Sequence, residues 1–187
     1  TAANNTAFGY QTLCASTTAN FNTAVGMEAG MSVTTGSQNT FLGFRAGDLN
    51  TTGCCNTAVG TNAMGANTTA DNNTAVGHSS LIANTTGGTN IAIGASAACA
   101  NTTGSDILVI GRNAYISGTT AANNTAIGNN SLACNTSGTS NTAVGLSTMF
   151  KNTTGGYNTA SGEAALKCNT TASNNTAFGA EALKLNT

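Results

Sequence analysis

The chain contains no proline and no tryptophan, and only 6% of its 187 residues are charged. An ordinary soluble domain carries about 25% charge. A salt-bridged helical bundle, a basic nucleic-acid-binding surface and an acidic tail are therefore excluded. Disordered chains are rich in charge and proline, so disorder does not fit either. No run approaches the ~18 consecutive apolar residues of a membrane-spanning helix, and no signal-peptide pattern opens at Thr1. Neither nucleic acid nor membrane insertion is an expected partner.

What the chain has in abundance is Asn, Thr, Ala and Gly, and they recur periodically. Glycine stands at Gly9, Gly26, Gly43, Gly60, Gly77, Gly94, Gly111, Gly128, Gly145, Gly162 and Gly179, a spacing of 17 without a slip. Eleven repeats of 17 account for all 187 residues, so 1–187 reads as a single array with no internal boundary. Numbering each repeat 1 to 17, position 9 is always Gly and position 17 always Thr. Position 1 is Thr except at Ser137, and position 2 is only Ala or Gly. Position 5 is Asn except at Ile107, position 7 Ala except at Phe41 and Val109, and position 8 aliphatic or Phe except at Ser161. Neither terminal repeat is a polar cap, so the array is expected to be a segment of a longer fibre.

Seventeen residues are too few for a two-helix repeat, and no 3.6-residue apolar stripe is present. Positions 5 to 8, typically Asn-Thr-Ala-Val, suit a short strand, and the Gly at 9 permits a sharp turn. Positions 10 to 14 are expected to form a second strand, with positions 8 and 13 supplying the core. The result is an all-β fold, a parallel β-roll of eleven coils stacked into a rod roughly 53 Å long at ~4.8 Å per coil. Every charge falls at position 3, 4, 10, 11, 14 or 15, which should face water. Two apolar side chains per coil make a thin core. Because positions 5, 7 and 9 are restricted and 7 and 9 are small, that face is expected to meet another copy of the chain, most simply in a trimer.

NNTAVG at Asn72–Gly77, NNTAIG at Asn123–Gly128 and TNIAIG at Thr89–Gly94 resemble the NSVAIG-type motif of YadA-like trimeric autotransporter adhesin heads. The fuller unit, with Ala-Leu and Asn-Thr-Thr-Gly after the motif, is similar to repeats of bacterial and phage-like tail fibres. The resemblance spans all eleven repeats. It implies a left-handed parallel β-roll, three chains per rod, and a role as an adhesive or spacing shaft. The adhesin-head repeat is shorter, so the extra residues here should enlarge a loop.

Catalytic chemistry is sparse. His78 is the only histidine and stands at a variable position beside Ser79 and Ser80, with no recurrent acid to build a triad. The six acids fall in different coils. GGTNIAIG resembles a phosphate loop only superficially, because no Lys follows and no helix opens there. Of the cysteines, Cys134 and Cys168 share position 15 two coils apart, ~9.6 Å along the axis, beyond the ~7 Å a disulfide spans. Cys14 and Cys99 lie five coils apart; Cys54 and Cys55 are adjacent and could form a strained vicinal disulfide or bridge between chains, but free thiols in a tight turn are the better reading. No CxxC pair exists, and no catalytic residue, metal or cofactor is expected.

The recurrent chemical signal is Asn-x-Thr/Ser. At position 16 it occurs at Asn50, Asn67, Asn84, Asn101, Asn135, Asn152 and Asn169; at position 4, at Asn4, Asn72, Asn123 and Asn174; and once more at Asn129. Asn and Thr also stack into hydrogen-bonded ladders, which would create such sequons without sugar. Position 4, being variable, is the better candidate for N-glycosylation.

The expected function is the structural shaft of an extracellular fibre: an adhesin stalk, a viral or phage fibre, or a glycan-coated filament. It would associate with itself, and any host-surface or glycan target would be met by regions outside this array. An alternative is an ice-binding β-solenoid using Thr rows at positions 17 and 1. A lectin fibre would need an aromatic track, and Tyr10, Tyr115 and Tyr157 occupy three different positions. Repeat seven breaks the pattern most, with Ile107, Leu108, Val109, Tyr115 and Ile116 enlarged and Gly118 in place of Asn. It is expected to be a hydrophobic plug where chains pack together.

Overall fold

The computed structural model describes residues 1–187 as one all-β solenoid. Each coil contributes one three-residue strand: β1 (Thr6–Phe8), β2 (Thr23–Val25), β3 (Thr40–Leu42), β4 (Thr57–Val59), β5 (Thr74–Val76), β6 (Ile91–Ile93), β7 (Leu108–Ile110), β8 (Thr125–Ile127), β9 (Thr142–Val144), β10 (Thr159–Ser161) and β11 (Thr176–Phe178). They form a single parallel sheet in sequence order. Each residue pairs with the residue 17 further on, as Thr57 with Thr74 and Val59 with Val76. β-branched residues at positions 6 and 8 favour this pleated conformation.

The strand's inward residue is position 7. Ala24, Ala58, Ala75, Ala92, Ala126 and Ala143 are fully buried. Position 8, expected in the core, points outward instead, with Leu42 44% and Ile93 38% exposed in interior coils. The reason is steric: Leu or Met at position 13 fills the interior from the opposite wall, so the sheet can contribute little more than a methyl group. The small face at 5 and 7 is thus the chain's own interior, which corrects its assignment to an interface. Position 9 is small because coils touch there. A Cβ on Gly26 would lie 2.5 Å from the carbonyl oxygen of Gly43, and its φ of +133° disfavours any L side chain.

The second strand at 10 to 14 does not form. That segment is a tight corner in which positions 11 and 13 have positive φ in every coil, such as 56° at Ser79 and 48° at Leu81. Left-handed backbone costs about 1–2 kcal/mol for a residue with a Cβ. The return is core: Met64, Leu81, Leu132, Met149 and Leu166 are fully buried at position 13. Position 4 is also left-handed throughout, and there Asn is well tolerated.

Two asparagines close each of seven coils, and the position-5 Asn alone closes coils one and two, where Ser16 and Val33 occupy position 16. In the third, the Nδ2 groups of Asn39 and Asn50 both donate to the carbonyl of Gly53, at 2.9 and 3.0 Å. Position 5 thereby ties the start of a turn to its end, 14 residues on. The same side chains link coils: Asn39 N–H donates to Oδ1 of Asn22 at 2.9 Å, and Asn67 Nδ2 to Oδ1 of Asn50 at 2.6 Å. These buried amides are paired on both sides, as low-dielectric burial requires. At position 17, the Thr hydroxyl donates to the next coil's carbonyl in every coil but those of Thr119 and Thr170, for example Thr51 to Thr68 at 3.0 Å.

Departures from the repeat are compensated within the chain. Phe41 replaces the Ala at position 7, and the neighbouring position-13 residues are Gly30 and Gly47. A Cβ on either would come within 2.8 and 2.5 Å of the Phe41 ring. In repeat seven, Ile107, Val109 and Tyr115 are buried in the chain's own core, while Leu108 is only half-buried. They need no second chain to cover them. Gly118 has lost its side chain because a Cβ there would overlap the Tyr115 ring. The Tyr115 hydroxyl stands in for both missing asparagines, donating to Ala121 O at 3.0 Å and accepting from Asn124 Nδ2 at 3.2 Å.

That substitution is incomplete and leaves a seam between coils seven and eight. At the junction before it, Asn101 Oδ1 is buried without the donor that Gly118 cannot supply; at the seam itself, Asn124 N–H has lost the Oδ1 that Ile107 cannot supply. The Thr119 and Thr120 N–H groups find no acceptor, whereas Thr85 and Thr86 both donate to Thr102 O, at 2.8 and 3.3 Å. Amide exchange at Thr119, Thr120 and Asn124 should run at least ~10-fold faster than at Thr85, Thr86 and Asn73. The triple variant Ile107→Asn, Tyr115→Leu, Gly118→Asn should slow it again. Equal rates by hydrogen-exchange mass spectrometry would show the seam to be closed.

The stacking glycines give a second prediction. Gly77→Ala places its methyl 2.7 Å from the Gly94 carbonyl, while around Gly179 nothing lies within 4 Å. Both sites share the strained φ, so the difference isolates coil contact. Gly77→Ala should cost more than ~3 kcal/mol in urea melts and Gly179→Ala clearly less.

Candidate functional site

The surface has no pocket, and no three His, Cys, Asp or Glu side chains converge on one point. What repetition builds instead is a set of rows. With position 7 inside, positions 6 and 8 face outward on every strand. The position-6 row is Thr except at Ile91 and Leu108; the position-8 row is Val, Ile, Leu or Phe except at Ser161. Leu42, Ile91 and Ile93 are 44%, 41% and 38% exposed. No charged residue occurs at positions 5 to 9 of any coil. This charge-free Thr/aliphatic face escaped the reading of the sequence. The available signal was position 7, held to Ala in nine coils as only an inward residue would be.

The face is flanked by the variable, exposed positions 4 and 10. In coils one to three, Phe8, Tyr10, Met27 and Phe44 make its border apolar. Arg45 lies 5.8 Å from the Phe44 ring centroid and holds Glu28 of the preceding coil at 2.7 Å and Asp48 at 3.5 Å. Asp48 is only 8% exposed, an exception to charges facing water. Burial pushes its carboxyl above the ordinary value against the pull of Arg45. Burial likewise raises the Tyr115 hydroxyl, which keeps it a neutral donor. His78 is exposed, its Nε2 3.5 Å from Ser79 Oγ.

All six cysteines are free. Cys54 Sγ accepts from Ser37 N–H at 3.3 Å and Cys55 Sγ donates to Gln38 Oε1 at 3.2 Å. Both thiols thus face the preceding coil. Elsewhere position 3 plays the same part with oxygen, as where Gly88 N–H donates to Ser105 Oγ at 3.1 Å.

The sequons divide into two classes. Asn50, Asn67, Asn84, Asn101, Asn135, Asn152 and Asn169 are fully buried, and each donates its Nδ2 to the position-2 carbonyl three residues on. No sugar can be accommodated there in the folded chain, which corrects their candidacy. Asn4, Asn72, Asn123 and Asn174 are exposed, with no hydrogen bond to their side-chain amides. Asn129 is exposed, but the hydroxyl of its sequon, on buried Ser131, is committed to Ala143 O at 3.0 Å.

Comparison with protein-family models, with curated proteins and with solved structures gives no match to this chain.

When the chain is secreted from a cell that N-glycosylates, peptide mapping should find sugar at Asn4, Asn72, Asn123 and Asn174. The seven position-16 asparagines should be bare. Occupancy of Asn84 in folded protein would contradict the ladder.

Proposed function

We propose that this chain is a shaft segment of an extracellular fibre, a spacer that holds binding regions away from a surface and associates with further copies of itself. The observation that carries this reading is the unbroken sheet: eleven parallel strands in one register, each stacked on the next. Such an array has length and stiffness as its products. Each coil adds ~4.8 Å, so the number of repeats sets the reach. Adhesion to a host surface or a glycan would belong to regions beyond the array. The resemblance to adhesin heads and tail fibres supports the extracellular placement, and the four open sequons agree with it.

An ice-binding surface at positions 17 and 1 has weaker support. The position-17 hydroxyls point along the axis into the next coil's carbonyl, as Thr85 to Thr102 at 3.0 Å. Only the position-1 row is fully presented to water. Thermal hysteresis of the purified protein is the test of that alternative.

Negative-stain electron microscopy tests the shaft reading. Straight rods of about 50 Å, the length of eleven stacked strands, are expected. Compact globular particles would sink it.

A further inference from the structure

The shaft reading leaves open which surface joins one copy to the next, and the structure points away from the small-residue face first suspected. We infer that the outward face of the sheet, the rows at positions 6 and 8, is the surface through which copies of this chain pack against one another. This inference rests on the shaft reading and adds the contact to it.

Three observations meet on that face. It is dry in character: the position-8 row presents Val, Ile, Leu and Phe, with Leu42 44% and Ile93 38% exposed and the valines half-buried. It carries no charge from end to end, although charges occur at position 4 or 10 on either side, at Asp106, Arg112 and Glu163. A face left to water on a parallel sheet has no reason to hold aliphatic or aromatic side chains in ten of eleven coils. And it is long. A strip about 50 Å long at ~4.8 Å per coil, and about 10 Å wide at ~3.3 Å per residue, offers about 500 Å² per copy, so two faces in contact bury about 1,000 Å², the size at which an interface becomes specific.

Periodicity selects the occupant. Every feature of the face repeats once per coil along the axis. A partner without that spacing meets equivalent side chains at one or two coils and drifts out of step over the rest. A second copy of this chain has the same spacing and keeps all eleven coils in step, with Thr methyls and aliphatic side chains interdigitating as between stacked sheets. Uninterrupted burial of such rows is also what an uncharged sheet requires to avoid indiscriminate aggregation.

The test uses the full chain and sizes it by light scattering after gel filtration. The protein should elute as an integral multiple of 18.3 kDa. The variant Val59→Lys, Val76→Lys, Val144→Lys changes only outward side chains, and should elute as a single chain with an unchanged far-ultraviolet spectrum. The control Thr52→Lys, Thr69→Lys, Thr86→Lys places the same charge on the position-1 row and should assemble as the parent does. A parent that is monomeric at about 100 μM, a lysine face variant that still assembles, or a control that falls apart would each overturn the inference. Monomers that are still rods in the microscope would sink the interface and spare the shaft; compact monomers would sink both. Monomeric rods showing thermal hysteresis, abolished by the face variant, would assign the face to ice instead.

Discussion

This fold rests on asparagine amides meeting one carbonyl per coil, two of them in seven coils and the position-5 amide alone in coils one and two, where Ser16 and Val33 stand at position 16. A three-residue strand and a row of alanines bury too little to fix a 17-residue loop in place, so closure of the coil must come from somewhere else. The position-5 and position-16 side chains supply it, converging on the position-2 backbone from opposite sides. Position 2 is held small, Ala in five coils and Gly in six, and at Gly53 even a Cβ would crowd the Asn50 and Asn67 amides. Once each coil is closed in the same way, identical coils stack, and the strand register follows without further instruction. The exception argues for the rule. Where both asparagines are lost, at Ile107 and Gly118, a tyrosine hydroxyl reaches the same carbonyl.

The interior is therefore over-determined and the exterior free. Positions 2, 5, 7, 9, 12, 13 and 16 answer to their neighbours in the stack, and deviations come as matched sets such as Phe41 with Gly30 and Gly47. Positions 4, 10 and 11 carry almost any side chain. The outward rows at 6 and 8 belong to neither class. They are exposed in the single chain and yet as restricted as core, and that combination singles them out.

Much of the architecture was legible in the residues. The 17-residue glycine spacing gave the coil, Asn-Thr-Ala-Val gave the strand, and the Leu and Met at position 13 were read correctly as core. The phase of the strand was not legible. Val next to Ala invites the larger residue inward, because burial of apolar area is the usual guide. Here the cavity is only as deep as one methyl, a fact set by the opposite wall and invisible along the chain. The left-handed corner at positions 11 and 13 was hidden for a related reason. Leu, Met and Tyr adopt that conformation poorly by themselves, and only stacking imposes it. The sequons misled in part because Asn at 16 followed by Thr at 17 and 1 is what two hydrogen-bonded rows look like when written as a sequence.

A solenoid drawn along its axis is a set of links in series, each link a coil junction whose bonds act in parallel. Tension is the same at every junction, so strength is set by the weakest and not by the average. In this chain the weakest is identifiable, between Thr119 and Thr136, where the threonine row skips a rung and both asparagine rows are interrupted. A rod with one such junction yields there first and leaves the coils on either side intact. Seven coils on one side and four on the other become the units in which the shaft bends, breaks and re-forms.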